Sequence, residues 1–298
     1  MDLNLHLVRC LLAVVDEGHF GRAAQKMFVS TPSLSQQVRK LERQLGAELL
    51  DRTTHPVRLT EIGTVFASQA RVAIETADRA IGAVESYRRA QENSIRLGFM
   101  TASTGPRMRL VLDQLRRRVP DVTVQMIELP WPQQTSAVQS GDVDAAFVRP
   151  PVADTTGLVF DVVQHESRVA VLPATHHLAG RRSIGISDLD DEPHVADDDA
   201  DPQWVKWWAC DPRPSGMPVR YGPSVRTMDE LLEAVAAGQA VAITGEFVAQ
   251  TFRNRGVAFI PIDDVEPCPL SLCTRDADKS RVVAELRRAL TVVRAEGT

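Results

Sequence analysis

Residues 31–45 carry two faces of opposite character, and this pattern limits how the chain can fold. Apolar side chains recur there at spacings of four, three and four, the repeat of one helix face. They are Leu34, Val38, Leu41 and Leu45. Thr31 is a suitable N-cap with Pro32 in the first helical position, and Gly46 ends the helix. We therefore expect a helix that buries its leucine face and presents a polar face outward.

The neighbouring segments predict two helices before this one and a hairpin after it. Leu3–Glu17 and Gly21–Phe28 have helical patterns, whereas Glu48–Leu50 and Val57–Leu59 are short strand candidates. Thr60 then caps a long helix whose apolar residues alternate steps of three and four, a seam typical of paired helices. The seam comprises Leu59, Ile62, Phe66, Ala70, Ala73, Ala77, Ala80, Val84 and Tyr87. This order of elements predicts a winged helix-turn-helix, mostly α, followed by a linker helix that dimerises.

The polar face of the third helix suits DNA. It carries Ser33, Ser35, Gln36, Arg39, Lys40 and Arg43. An amide such as Gln36 both donates and accepts, which matches adenine, and Thr31 and Pro32 can contact a thymine methyl. The three basic residues lie further along, where we expect backbone phosphates. A solvated helix face without a partner is the alternative, and the order of the surrounding elements favours DNA.

Charge is distributed unevenly along the chain. The 298 residues have a net charge of −5, which by itself argues against nucleic-acid binding. Residues 1–58, however, hold eight basic and six acidic side chains, so they carry +2 and leave −7 for the rest. A mildly basic head on an acidic body fits a molecule that contacts phosphate at one end only.

Residues 1–63 resemble the DNA-binding region of the LysR-type transcriptional regulators. The matching stretches are Phe20–Met27, Val29–Val38, Leu41–Glu42, Leu45–Gly46, Asp51–Arg52 and Leu59–Gly63. Further along, the resemblance continues through Gly141–Ala146, Pro173–Ala179 and Leu232–Gly238. It implies a transcription regulator that binds an inverted-repeat promoter site as a homotetramer built from dimers, and that responds to a small-molecule effector.

The resemblance also implies which residues touch DNA. The base contacts would come from Thr31, Pro32, Ser35 and Gln36, and a wing residue would enter the minor groove. Two positions depart from the family pattern, which often has Arg at Gln36 and at His55. Neutral histidine grips a narrow minor groove less strongly than arginine does, so we expect a larger share from Arg52 or Arg58.

From residue 95 onward, short apolar strands alternate with amphipathic helices, which predicts an α/β domain with a largely parallel sheet. The resemblance implies a two-subdomain effector domain similar to periplasmic binding proteins. We accordingly expect a winged helix-turn-helix over 1–59, a linker helix over 60–91 and an effector-binding domain over 92–298. Its first subdomain would comprise 95–162 and 268–298, and its second 163–267. Ala240 and Gly245 stand where the family has Gly and Pro, so the cleft floor is expected to differ.

The expected effector site lies between the subdomains, beyond the carboxyl ends of strands. The candidates are Thr101, Ala102, Ser103, Thr104, Trp131, Arg149, Asp197, Asp199 and Thr227. Helix capping is an equally good explanation of the hydroxyl cluster at 101–104, and packing is one for Trp131. Arg149 points to an anionic partner, either a ligand or the acidic loop at 197–201. That loop could equally be solvated.

Other functions find little support. We find no nucleophile elbow, Walker A, dinucleotide-binding or zincin motif, so an enzyme is not expected, and no cofactor is implied. The pair His176-His177 lacks an evident third ligand, so no metal is expected. The four cysteines show no metal-ligand spacing, and a redox pair of Cys210 with Cys268 or Cys273 is disfavoured. With no signal peptide or membrane span visible, the sequence predicts a cytoplasmic protein and disfavours an exported solute-binding protein.

Overall fold

The computed structural model describes residues 3–101, 103, 105–252 and 256–296. The chain divides into two compact units, the first ending at Ile81 and the second beginning at Gly82. None of the described helices is both long enough and apolar enough to span a lipid bilayer.

The first unit is a three-helix core with a small hairpin. Its elements are α1 (Leu5–Glu17), α2 (Phe20–Lys26), α3 (Thr31–Leu45), β1 (Leu50–Asp51) and β2 (Arg58–Leu59). The two strands pair antiparallel, so the predicted wing is present. Leu34, Val38 and Leu41 are fully buried against α1, as the leucine pattern requires.

The start of α3 differs from the expectation by one residue. Ser30, rather than Thr31, is the N-cap, and its hydroxyl oxygen accepts a hydrogen bond from the Ser33 amide at 3.3 Å. Thr31 and Pro32 are then the first two helical residues, where proline is tolerated because those amides lack intrahelical partners. Gly46 ends the helix as expected, with a positive φ of 69°.

The linker helix α4 (Glu61–Gln91) is continuous over 31 residues, about 46 Å at 1.5 Å per residue. The Thr60 hydroxyl accepts from the Gly63 amide, as expected of a cap. Within the first unit, α1 and α4 are joined by the ion pairs Arg9–Asp78 and Asp16–Arg71.

The predicted dimerisation seam on α4 is partly wrong. Phe66 and Ala70 pack into the core of the first unit, so they face inward. The exposed apolar stripe instead runs along a neighbouring line of the helix. It comprises Ile62, Val65, Val72, Ala80, Ala83, Val84 and Tyr87. Sequence periodicity alone did not separate the two lines, because both satisfy steps of three and four.

The second unit contains two lobes, of which the first is built on a five-stranded sheet. Its elements are β3 (Ser94–Phe99), α5 (Pro106–Arg118), β4 (Thr123–Glu128), α6 (Ser136–Ser140), β5 (Ala145–Val148), β6 (Leu158–Glu166), β12 (Cys268–Arg275) and α10 (Arg281–Glu296). The strand order is β4-β3-β5-β12-β6. The first three strands are parallel, and β12 runs antiparallel to both of its neighbours.

The second lobe lies between β6 and β12 in the sequence. Its elements are β7 (Arg168–Pro173), β8 (His194–Ala196), α7 (Pro202–Ala209), β9 (Tyr221–Ser224), α8 (Met228–Ala236), β10 (Ala242–Gly245), α9 (Glu246–Thr251) and β11 (Val257–Pro261). A three-stranded sheet of order β10-β7-β11 is antiparallel throughout. The expectation of a largely parallel sheet holds only in part for this lobe, because β10 and β11 both pair antiparallel with β7, whereas β8 and β9 pair parallel with each other.

A buried carboxylate fastens the end of α4 to the first lobe. Asp144 accepts hydrogen bonds from the Ser86 hydroxyl at 2.8 Å, from the Arg96 amide at 2.8 Å and from two Arg89 nitrogens at 2.7 and 2.9 Å. Burial alone would raise the pKa of Asp144, but the hydrogen bonds from Arg89, Arg96 and Ser86 outweigh burial and lower the pKa below its ordinary value of 3.8.

Close backbone packing accompanies this contact. A Cβ on Gly82 would lie 1.7 Å from the Ser140 carbonyl oxygen, so only glycine fits at that position of α4. Gly141, which follows α6, has a φ of 83° and lies against Gly82. Residues 141–146, which carry part of the family resemblance, thus form the surface against which the end of α4 packs.

Replacing Asp144 by Asn is expected to destabilise the second unit by about 3 kcal/mol at pH 7, because the variant leaves Arg89 without its buried charge partner. The Asp144 pKa is lower in the folded state, so its contribution is complete at neutral pH and declines as the pH falls below about 4. Urea unfolding at several pH values measures this difference. The control is Asp142→Asn at an exposed position beside it. If the wild type still exceeds Asp144→Asn in unfolding free energy by the same amount at pH 3, the lowered pKa of Asp144 would be contradicted.

Candidate DNA interface and effector cleft

The polar face of α3 is open to solvent over one half of the helix. Thr31, Pro32, Gln36, Arg39, Lys40 and Arg43 are all exposed. At 100° per residue they span about 180° of the helix surface, opposite the buried leucine row. Ser33 and Ser35 are half-buried at the margin of this face. The structure therefore brings together the predicted base and phosphate contacts of the helix.

A broad cleft of about 1440 Å³ separates α3 from the wing. Gln36, Arg39, Lys40 and Arg43 line one wall, and Arg52 and neighbouring wing residues line the other. The lining also includes the acidic residues Glu42, Glu48 and Asp51. The cations of this surface that suit a phosphate backbone are therefore the exposed Arg39, Lys40 and Arg43 of α3.

Arg52 is committed to an internal contact. Its guanidinium lies 2.6 Å from the Glu42 carboxylate and 5.4 Å from the centre of the Phe20 ring. Glu42, only 8% exposed, also accepts hydrogen bonds from the amides of Leu49 and Leu50 at 3.0 and 3.3 Å. This carboxylate thereby fixes the wing against α3. The geometry argues against Arg52 as a DNA contact, since its charge already neutralises Glu42.

The other two wing candidates are exposed. His55 and Arg58 both project from the hairpin. The wing is held to the α1–α2 turn by a hydrogen bond of 2.9 Å from the Val57 amide to the Gly18 carbonyl. Of the two predicted wing arginines, Arg58 is therefore the exposed one, whereas Arg52 is paired with Glu42.

A narrow cavity of about 60 Å³ lies between the two lobes of the second unit. Four of the predicted effector residues line it: Thr101, Trp131, Arg149 and Asp197. The sequence analysis missed His194, Trp204 and Trp208, which also line it. The Trp-rich segment 204–208 was a visible signal, since large aromatic side chains are common in ligand cavities.

The remaining effector candidates have other positions. Thr227 lies in an adjoining groove and caps α8, and Asp199 is exposed and pairs with Arg226 at 2.9 Å. Ser103 is buried; its hydroxyl donates to the Met100 carbonyl at 2.6 Å and caps no helix. Thr101 hydrogen-bonds to the Glu128 carboxylate. Ala102 and Thr104 lie outside the described residues.

Arg149 has an anionic partner that the sequence analysis did not name. Its guanidinium donates to both oxygens of Glu166, at 3.0 and 3.2 Å, and lies 3.4 Å from the Cys268 sulfur. The proposed acidic-loop partner is therefore wrong. Gly245 packs on this group so closely that a Cβ would lie 2.5 Å from the Glu166 carboxylate, which explains glycine there. The Arg149 carbonyl also accepts from the Trp204 indole at 3.0 Å, which links the two lobes.

The histidine pair and the cysteines have local structural explanations. A Glu192 carboxylate oxygen lies 3.0 Å from the His176 Nε2 atom. Glu192 thus joins His176 and His177 as a third side chain that the sequence did not reveal. The His176 Nδ1 atom accepts from the Leu178 amide, so its Nε2 donates to Glu192 and both ring nitrogens are engaged. Burial raises the pKa of the Cys268 thiol, and that of Cys273 to about 12, which disfavours the thiolate that redox exchange requires.

Family models and known proteins match both units. The model "Bacterial regulatory helix-turn-helix protein, lysR family" matches residues 5–64, and "LysR substrate binding domain" matches residues 88–293. An uncharacterised regulator of Escherichia coli K12, YnfL, is 35% identical over 198 residues, which is 65% of this chain and 66% of that protein, just under two thirds.

Solved structures agree on the fold. Full-length BenM, a transcriptional regulator known from Acinetobacter baylyi, superposes with a TM-score of 0.56 at 23% identity, over 99% of this chain and 98% of that one. Full-length CbnR in complex with its target DNA gives 0.56 at 20% identity, over 98% and 100% of the two chains.

The winged helix-turn-helix, the long helix and the two-lobed α/β domain have the architecture that the two matched families describe, a regulatory helix-turn-helix and a substrate-binding domain. The chain belongs to the LysR family of bacterial transcriptional regulators. The families and relatives that it matches are regulators rather than enzymes.

The two wing arginines are expected to behave differently on substitution. Arg52→Ala should cost about 2 kcal/mol of stability in the first unit, because Glu42 loses its partner in a mostly buried site. Arg58→Ala should leave stability unchanged but weaken DNA binding and reduce the salt slope by about 1. Thermal unfolding and fluorescence anisotropy separate the two effects. Equal destabilisation by both substitutions would refute the distinction.

Proposed function

We propose that this chain binds promoter DNA through the exposed face of α3, with Arg58 and His55 of the wing beside it. The base contacts come from Thr31, Pro32, Ser35 and Gln36. The backbone contacts come from Arg39, Lys40 and Arg43, with Ser33 near the helix N-terminus. The observation that carries this assignment is the exposure of six of these side chains, all but Ser33 and Ser35, on the side of α3 opposite the fully buried Leu34, Val38 and Leu41.

The same chain would sense a small-molecule effector in the cleft between the lobes of its second unit. Four predicted residues line one cavity there. We place the domain boundaries near 59 and 91, with the subdomain changes near 162 and 267. A regulator of this kind acts on chromosomal DNA, so we propose a cytoplasmic location.

The apolar stripe of α4 supports assembly into dimers and a dimer of dimers. Val65 is 66% exposed and Val72 54%, on a helix whose other side is buried. Solvated apolar stripes of this length are disfavoured, and pairing would cover them. Pairing also joins two heads of modest charge, which raises their combined affinity for an inverted repeat.

A mobility-shift assay with DNA from upstream of the protein's own gene tests the DNA-binding proposal. Gln36→Ala should weaken specific binding by roughly 5- to 150-fold, the equivalent of losing one bidentate base contact, and leave non-specific binding nearly unchanged. Arg39→Ala should weaken both. Gln44→Ala, at an exposed position of the same helix outside the polar face, is the control. No competitor-resistant binding by the wild type would end the proposal.

Val72→Glu should dissociate the dimer, because the carboxylate would be placed in an apolar interface. Sedimentation velocity should show a smaller species at micromolar concentration, with the melting temperature of the first unit retained. Glu75→Gln, exposed on the same helix but off the stripe, should leave the assembly intact. An unchanged sedimentation coefficient for Val72→Glu would exclude this stripe as the dimer interface.

A further inference from the structure

The cavity between the lobes contains polar atoms that no described residue satisfies. His194 Nε2, Asp197 Oδ2 and Trp208 Nε1 are buried and lack a hydrogen-bond partner within the described part of the chain. All three side chains line the cavity. Leaving a buried polar atom unpaired is unfavourable, so three such atoms on side chains that line one cavity point to a ligand that supplies the missing bonds. This inference rests on the proposed effector cleft and concerns what that cleft accepts.

His194 offers a lone pair rather than a proton. Its Nδ1 lies 2.7 Å from the Val195 carbonyl oxygen, so Nδ1 carries the hydrogen and donates it. The ring is 3% exposed, and burial, followed by the charges of Arg213 and Arg168, lowers its pKa to about 4. The imidazole is therefore neutral at pH 7, and Nε2 can only accept a hydrogen bond.

Asp197 offers a second acceptor. Its Oδ1 accepts from the amides of Asp199 and Ala200, at 2.9 and 3.1 Å, which closes the turn and fixes the carboxyl group. Oδ2 is the oxygen left without a partner, and Asp197 is only 7% exposed. A ligand must bring an N–H or O–H group to this oxygen.

The rest of the wall is largely aromatic and apolar. The Trp131 and Trp204 rings lie 5.8 Å apart, and Trp204 and Trp208 lie 5.9 Å apart. The Trp208 indole supplies one donor, so an acceptor on the ligand is also required. The cavity volume of about 60 Å³ exceeds what a single water needs, so a ligand of several atoms fits.

Among the described residues that line the cavity, Arg149 is the one cationic side chain. Arg168 and Arg213 act on the charge of His194 but do not line the cavity. Arg149 is bonded to Glu166 and contacts Cys268. Arg168 donates to the carbonyls of Trp207 and Trp208 and lies 4.3 Å from the centre of the Trp207 ring. Neither guanidinium presents the fork that a carboxylate ligand would need. An anion would instead meet the unpaired oxygen of Asp197, which repels it.

We propose that the cleft selects an uncharged ligand with a compact apolar body, at least two N–H or O–H donors and one acceptor. A primary amide meets these requirements, because its NH₂ group supplies two donors and its carbonyl accepts from Trp208. Carboxylates of the same shape are rejected. His194 and Asp197 are the residues that determine this specificity.

Propionamide and propionate test the proposal, because they are matched in size and differ in the donor-bearing group. Tryptophan fluorescence of the full chain should report saturable binding, with propionamide at least 10-fold tighter than propionate. Benzamide and benzoate provide a larger matched pair and should show the same order. Equal or tighter binding of the carboxylates, or no binding by either pair, overturns the proposal.

Asp197→Asn sharpens the test, because asparagine keeps the oxygen that accepts from the turn amides and replaces the unpaired oxygen by an NH₂ donor. The amide-to-carboxylate preference should then fall or invert, whereas Asp198→Asn, at the exposed neighbouring position, should preserve it. A preference unchanged in Asp197→Asn overturns the role of Asp197. The wild-type comparison stands if the variant fails to fold.

A mobility shift on the same samples separates the two proposals. If neither ligand pair binds while specific DNA binding is intact, only the proposed ligand class is contradicted. If the wild type shows no specific DNA binding, the proposed function itself is contradicted.

Discussion

A buried charge is tolerated only when every oxygen or nitrogen that leaves water finds a partner, and the architecture of this protein depends on one such charge. Asp144 receives four hydrogen bonds from α4 and from the first strand of the sheet, and it is almost completely buried. The linker helix is thereby part of the second unit at its end, while its beginning packs into the first. The division between the two units thus falls within one continuous helix.

The same device recurs at the two candidate sites. Glu42 joins the wing to α3 through Arg52 and two backbone amides, and Glu166, at the end of β6, holds the Arg149 guanidinium in place within the first lobe. In both places an arginine that the sequence predicts to bind a ligand, Arg52 or Arg149, is paired with a buried carboxylate. Removing the arginine would leave the buried carboxylate without its charge partner, so these ion pairs help to hold the two candidate sites in shape.

The sequence predicted the elements whose signal is local. The leucine row of α3, its end at Gly46 and the cap of α4 at Thr60 follow from spacing and side-chain chemistry within a few residues. The partners of Arg52 and Arg149 could not be predicted, because Glu42 and Glu166 meet them only through folding. The exposed line of α4 was misassigned because its neighbour has the same period. The unpaired atoms of His194, Asp197 and Trp208 are likewise products of three-dimensional placement.

Hydroxyl-radical footprinting of the full chain on the DNA upstream of its own gene tests the central claim most directly, since it reports contact geometry as well as binding. A dimer that presents two α3 helices should protect two stretches on one face of the duplex, with centres about 10–10.5 base pairs or a multiple of that apart. Protection should persist in excess competitor DNA and disappear in Gln36→Ala at the same protein concentration. Uniform protection, or none that survives competitor, would contradict the account.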